Sequence, residues 1–121
     1  MTEVRLNAYH IMWLFVFFDL PVTTKQQRKE AAGFRKSLEQ DGFSMMQFSV
    51  YTRFCASYEA AAVHTRRVEA LVPGHGKVSI LMVTDKQYGM IRNFIGKETR
   101  TAGRTKKKKK VIELPLPFEL F

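Results

Sequence analysis

At 121 residues the chain has room for one domain, and 45% hydrophobic residues with 12% aromatics supply a core and exclude a disordered chain. Twenty Lys and Arg against eleven Asp and Glu leave a net charge of +9, a field that attracts polyanions: nucleic acid, an acidic membrane surface or an acidic protein. A lone cysteine, Cys55, excludes an internal disulfide, and the longest apolar run, residues 11–18, is too short to span a bilayer.

Residues 1–10 read as an N-terminal extension. Ile11-Met12-Trp13-Leu14-Phe15-Val16-Phe17-Phe18 lacks polar alternation and predicts a strand covered on both faces and central in its sheet. Glu3 precedes this run and no small-residue cleavage site follows it, so the expectation is a cytoplasmic protein rather than a secreted one. Asp19-Leu20-Pro21 ends the strand, because Pro21 lacks a ladder donor. Thr24-Lys25-Gln26-Gln27 has the form of a capping box and predicts a helix over 25–40. Its inward stripe is Gln27, Ala31, Phe34 and Leu38, and Asp41-Gly42 closes it with Gly42 in a left-handed position.

From Phe43 the period changes to two. One long strand is expected to run to Phe54, with Met46, Phe48, Val50, Thr52 and Phe54 on one face and Gln47, Ser49, Tyr51 and Arg53 on the polar one. A second helix is capped by Ser57 and runs to Leu71, with Ala61, Val68 and Leu71 inward. Pro73-Gly74-His75-Gly76 ends it, a strand follows over 78–83, a short turn or helix over 85–88, and a further strand over 90–95. The order β-α-β-α-β-β, with strand one central and two helices on one face, predicts a ferredoxin-like α/β (α+β) sandwich over residues 11–96. Residues 97–110 form a basic linker in which Arg100, Arg104 and Lys106 to Lys110 carry seven of the nine net charges. Residues 111–121 form an apolar, extended segment.

Three segments together resemble the second core protein of CRISPR adaptation, the Cas-two family. They are the apolar strand closing on Phe18-Asp19-Leu20-Pro21, the run Gln47-Phe48-Ser49-Val50-Tyr51, and Lys77-Val78-Ser79-Ile80-Leu81-Met82-Val83-Thr84-Asp85-Lys86-Gln87-Tyr88. Their style is most similar to members that accompany the Cas-nine effector. The resemblance implies a ferredoxin-like fold, a symmetric homodimer, and a place between two dimers of the CRISPR integrase, the Cas-one protein, in a prokaryotic complex that inserts duplex prespacer DNA as a new spacer. It also implies that some members are metal-dependent endonucleases acting on RNA or DNA through the Asp that closes strand one, here Asp19, with Mg²⁺ as its cofactor. The ten residues before strand one and the density of Lys106 to Lys110 depart from the family pattern.

Two functions follow. In the first, the chain is a non-catalytic homodimeric subunit that holds duplex DNA through its phosphates, which gives affinity without reading sequence. Its candidate contacts are Arg53, Arg66, Arg67, Lys77 and Arg92, each of which is otherwise a solvated surface charge. In the second, Asp19 pairs across the dimer two-fold to hold a metal and cleave phosphodiesters; otherwise it caps a turn. Neither Asp41 nor Asp85, which follow different elements, reads as a convincing second carboxylate. Most Phe fall at inward positions, so base stacking is not expected as the main binding mode, with Tyr51 beside Arg53 the one ring to test. Val111, Ile112, Leu114, Leu116, Phe118 and Phe121 are expected to dock as a strand on a sheet edge of the dimer mate or the integrase.

Overall fold

The computed structural model describes residues 10–96 of the chain. By packing, the chain divides into residues 1–85 and 86–121, and the first unit holds the whole sheet and both long helices. Residues 1–9 of the expected N-terminal extension, the expected basic linker and the expected docking segment from Val111 to Phe121 lie outside the described residues.

The elements are β1 (Met12–Asp19), α1 (Lys25–Gln40), β2 (Ser44–Gln47), β3 (Val50–Cys55), α2 (Tyr58–Leu71), β4 (Lys77–Thr84) and the single-turn α3 (Asp85–Tyr88). The sheet is antiparallel throughout, in the order β2-β3-β1-β4, so the apolar β1 is central as expected. This is the ferredoxin-like fold, but its order is β-α-β-β-α-β. The alternation read as one strand from Phe43 to Phe54 is a hairpin that reverses at Phe48-Ser49, with Ser49 at φ 66° and a register shift between Met45 and Gln47. The reversal lacks the Gly, Asn or Pro that normally announces one, and a period of two persists through both arms, so the pattern gave no sign of it. The strand expected over 90–95 is not formed among the described residues. The amides of Met90 and Ile91 instead bond back to the carbonyls of Gln87 and Tyr88.

Local chemistry explains the helices. Thr24 Oγ1 accepts the Gln27 amide at 3.0 Å while Gln27 Oε1 accepts the Thr24 amide at 3.1 Å, the reciprocal box read from the sequence. Gln27 therefore spends its side chain on the cap and not on the core. Gly42, at φ +93°, carries the chain out of α1, and Ser57 caps α2 by accepting the Ala60 amide. Leu71, expected inward, is exposed where α2 gives way to the following loop.

Both helices lie on one face of the sheet. Leu14, Val16 and Phe18 of β1 pack there with Phe34 and Leu38 of α1, Ala61 and Val68 of α2, and Phe43, Tyr51 and Cys55. Tyr51, expected on the polar face, is thus a core residue at 1% exposure. It lies in contact with the Phe18 ring and donates its hydroxyl to Glu39 Oε2 at 3.3 Å, which satisfies the one polar atom that burial would otherwise orphan. The opposite face carries Trp13, Phe15 and Phe17 of β1, with Phe54 and Leu81 opposite Trp13 and Phe15 on the neighbouring strands. Phe15 is buried, but Phe17, Phe54 and Leu81 are exposed, so β1 is not fully covered on both faces.

Candidate functional site at the end of the first strand

Asp19 is the last residue of β1, and three segments fix its backbone. On one side it stands in register with Lys77, the first residue of β4. The loop entering β4 turns at Gly76, where φ is +91° and an added Cβ would lie 2.6 Å from the Asp19 carbonyl oxygen and 2.9 Å from both Leu20 Cδ2 and Pro21 Cδ. Glycine is demanded there twice over, by the left-handed backbone and by the close approach. On the other side the Phe18 amide donates to the Ser49 carbonyl at 3.1 Å, tying the β2–β3 turn to the end of β1. The Asp19 side chain itself is exposed and takes no hydrogen bond or ion pair among the described residues.

The other aspartates are spent elsewhere. Asp85, at the far end of β4, is buried and accepts the Trp13 indole N–H at 2.6 Å. Asp41 caps the C-terminus of α1 and binds α2: its Oδ2 is 2.8 Å from His64 Nδ1 and its Oδ1 is 2.9 Å from Arg67 Nη1. Burial alone would raise the Asp41 carboxyl, but its hydrogen bonds to His64 and Arg67 and their charges outweigh that and hold it below the usual carboxylate range. β1 and β4 pair from Asp19↔Lys77 to Met12↔Thr84, so Asp19 and Asp85 stand at opposite ends of a strand, roughly 26 Å apart. Among the described residues no three His, Cys, Asp or Glu gather to hold a metal. Asp19 suits a hard divalent cation only in the manner of magnesium sites that take one or two carboxylates and complete the shell with water and substrate phosphate.

Of the five candidate phosphate contacts, the four within residues 1–85 do not form one patch. Arg53 is half-buried over Gly42, with Nε donating to the Asp41 carbonyl and Nη1 to the Phe54 carbonyl, both at 2.7 Å. Arg53 pairs with Leu14, five residues along β1 from Asp19 and about 17 Å away. Arg67 is held by Asp41 and Arg66 is exposed beside it on α2. Lys77 alone stands at the Asp19 end, exposed. In residues 86–96, Arg92 lies over the Phe94 ring, 5.6 Å from its centroid.

Two features of the site escaped the sequence reading. Phe48, expected on the inward-facing set of a long strand, is 81% exposed on the turn beside Asp19. Gly76, read only as the end of a helix, is packed on the Asp19 backbone. A hairpin placed at residues 48–49 would have revealed the first; nothing local to the chain could have revealed the second.

Fold and site together define a ferredoxin-like α+β protein with a solvent-facing carboxylate where its central strand ends. The profile of the family described as CRISPR associated protein Cas2 matches residues 12–91. A protein of Flavobacterium psychrophilum is 55% identical over 94 residues, 78% of this chain and 82% of its own length. One from Paracidovorax avenae is 48% identical over 116 residues, 96% and 99% of the two chains, and one from Parvibaculum lavamentivorans is 52% identical over 87 residues, 72% and 86%. All three carry the name CRISPR-associated endoribonuclease Cas2. This chain belongs to the Cas2 family, the one its three segments resemble.

Proposed function

We propose that this chain is an endoribonuclease that hydrolyses phosphodiesters at Asp19, with a second copy of the chain contributing a second Asp19. The observation that carries the reading is the unpartnered Asp19 carboxylate at the end of the central strand, on a backbone packed by Gly76 and preceded by Phe18, whose amide donates to the Ser49 carbonyl, with Lys77 opposite in register. The names of the relatives support it. Two carboxylates from two copies fit a shared Mg²⁺, which when bound supplies charge neutralisation at the phosphate and a more acidic water. Asp19 would accept a hydrogen bond from an attacking water and turn it towards phosphorus, and the Lys77 ammonium would attract the phosphate and offset charge as it builds on the non-bridging oxygens. Water adds to phosphorus and gives up one proton as the P–O bond to the leaving oxygen breaks, and the leaving oxygen takes up one proton, so that one water is consumed for each bond cleaved.

The second copy is proposed from the open sheet face, where Phe17, Phe54 and Leu81 remain exposed and would be covered in a homodimer. A second role is favoured by the charge of the chain and by the exposed cations Lys25, Lys29, Lys36, Arg66 and Lys77, spread over several elements. Cations so spread suit backbone contacts to a duplex more than a confined active site. In that role the dimer bridges integrase dimers in spacer acquisition and holds prespacer DNA.

The test is Asp19→Ala in the full chain, assayed for Mg²⁺-dependent cleavage of RNA and for spacer acquisition in cells. Loss of cleavage by about two orders of magnitude, abolished equally by chelation in the parent chain, is expected. Undiminished cleavage in Asp19→Ala sinks the endoribonuclease reading, and undiminished acquisition assigns that role to the protein as a scaffold.

A further inference from the structure

The loop that enters β4 brings a side chain capable of proton transfer to the Asp19 end of the sheet. It reads Pro73-Gly74-His75-Gly76, so between Pro73 and Lys77 the only side chain is the imidazole of His75. Gly76 packs so closely that a Cβ on it would lie 2.6 Å from the Asp19 carbonyl oxygen. The Gly76 Cα is therefore within about 4 Å of that oxygen, and the His75 Cα, one peptide further, within about 8 Å. His75 is exposed and takes no hydrogen bond or ion pair among the described residues. Leu14, Val16 and Phe18 turn to the helices, so Asp19 stands on the open face of the sheet. Its register partner Lys77 shares that face, about 5 Å away across the strands. An exposed carboxylate, an exposed ammonium and an exposed imidazole thus rise from backbone positions within roughly 10 Å of one another.

We propose that His75 is the general acid of the hydrolysis at Asp19, donating the proton that the leaving oxygen takes up. The proposal rests on the endoribonuclease reading and supplies the proton donor which that reading leaves unnamed. A leaving alkoxide is expelled slowly unless it is protonated as the P–O bond breaks. Imidazole is the side chain whose ordinary titration lies between pH 5 and 8, so it both carries a proton and releases one near neutral pH. A lysine ammonium holds its proton more tightly and serves as fixed positive charge. In the step itself the attacking water forms the new bond to phosphorus and loses one proton to solvent. The bond to the leaving oxygen breaks as the His75 imidazolium passes its N–H proton to that oxygen. Neutral His75 then recovers a proton from solvent, and one water has been consumed.

The experiment compares the full chain with His75→Ala and His75→Gln in Mg²⁺-dependent cleavage of RNA, each variant first shown by thermal melting to keep the parent fold. In both, kcat is expected to fall about a hundredfold with KM unchanged. Glutamine keeps a hydrogen-bond donor but has no proton to give, so its failure to rescue separates proton transfer from positioning. The deciding arm is an RNA with sulfur in place of the leaving bridging oxygen, located from the ends of the product strands. A thiolate leaves without being protonated, so His75→Ala is expected to cleave this RNA at about the rate of the parent chain. In Asp19→Asn, which removes cleavage from the measurement, added RNA is expected to shift the His75 imidazole resonances. Undiminished kcat in His75→Ala, a loss that sulfur does not restore, a change confined to KM, or unmoved resonances would each overturn the assignment while leaving Asp19-dependent cleavage in place. A parent chain that cleaves no RNA removes the hydrolytic reading instead, and the general acid with it.

Discussion

At Gly76 a single missing Cβ decides where the candidate carboxylate sits. Gly76→Ala meets both a left-handed backbone and an overlap with the Asp19 carbonyl oxygen, so a loss of about 1–2 kcal/mol is expected from the backbone alone. Chemical denaturation checks the stability. On the proposed reading of Asp19, cleavage in the surviving folded protein should fall with it, because relief of the overlap separates the Gly76 loop from the end of β1. Asp41 is a second residue whose surroundings set its behaviour. Its carboxyl titrates below its ordinary value in the fold, so its ion pairs contribute stability above about pH 4 that is lost as the pH falls through the folded value. Asp41→Asn should therefore cost about 1–2 kcal/mol at pH 7 and much less near pH 3, read as urea midpoints at the two pH values. Cys55 adds a simpler case: burial pushes its thiol up, with nearby Arg53 only partly offsetting this, so the native protein presents little thiolate.

Among the elements, α1 shows how much of a helix is set by its own ends. Thr24 and Gln27 satisfy amides at its start, Gly42 releases the chain at its finish, and Ala31, Phe34 and Leu38 between them face the sheet. Thr24→Ala removes one half of the capping box and should lower stability by about 1 kcal/mol, seen as a drop in Tm without loss of the cooperative transition. The β2–β3 hairpin is built on the opposite plan. It has no strong turn residue, and its reversal is held by the Phe18 amide and by Tyr51, whose ring packs in the core while Glu39 accepts its hydroxyl proton. Burial and the neighbouring Glu39 both push the Tyr51 phenol up, which keeps it a neutral donor through the working pH range.

At the scale of the molecule, the sheet has one face sealed by α1 and α2 and another that still shows Phe17, Phe54 and Leu81 to solvent. A homodimer across this face predicts a solution mass of twice 14.0 kDa by sedimentation. Leu81→Lys should shift that mass to a single chain while leaving the far-ultraviolet spectrum unchanged, because Leu81 is outside the helix-facing core. A dimer indifferent to this change would have to form elsewhere.

Sequence alone determined the class of fold, the central place of β1, the limits of α1, the capped start of α2 and the position of Asp19 at a strand end. Each rests on a signal carried by neighbours in the chain: apolar periodicity, a capping box, a glycine after a helix, a proline after a strand. Tertiary structure decided the reversal at Phe48-Ser49, the burial of Tyr51, the engagement of Arg53 and Arg67 around Asp41, and the packing of Gly76 on Asp19. These depend on groups from 12 to 57 residues apart meeting in space. A long strand and a hairpin share one alternation, and a free arginine and a bonded one are the same letter. Only the packed sheet, by setting which strand lies beside which, makes the difference.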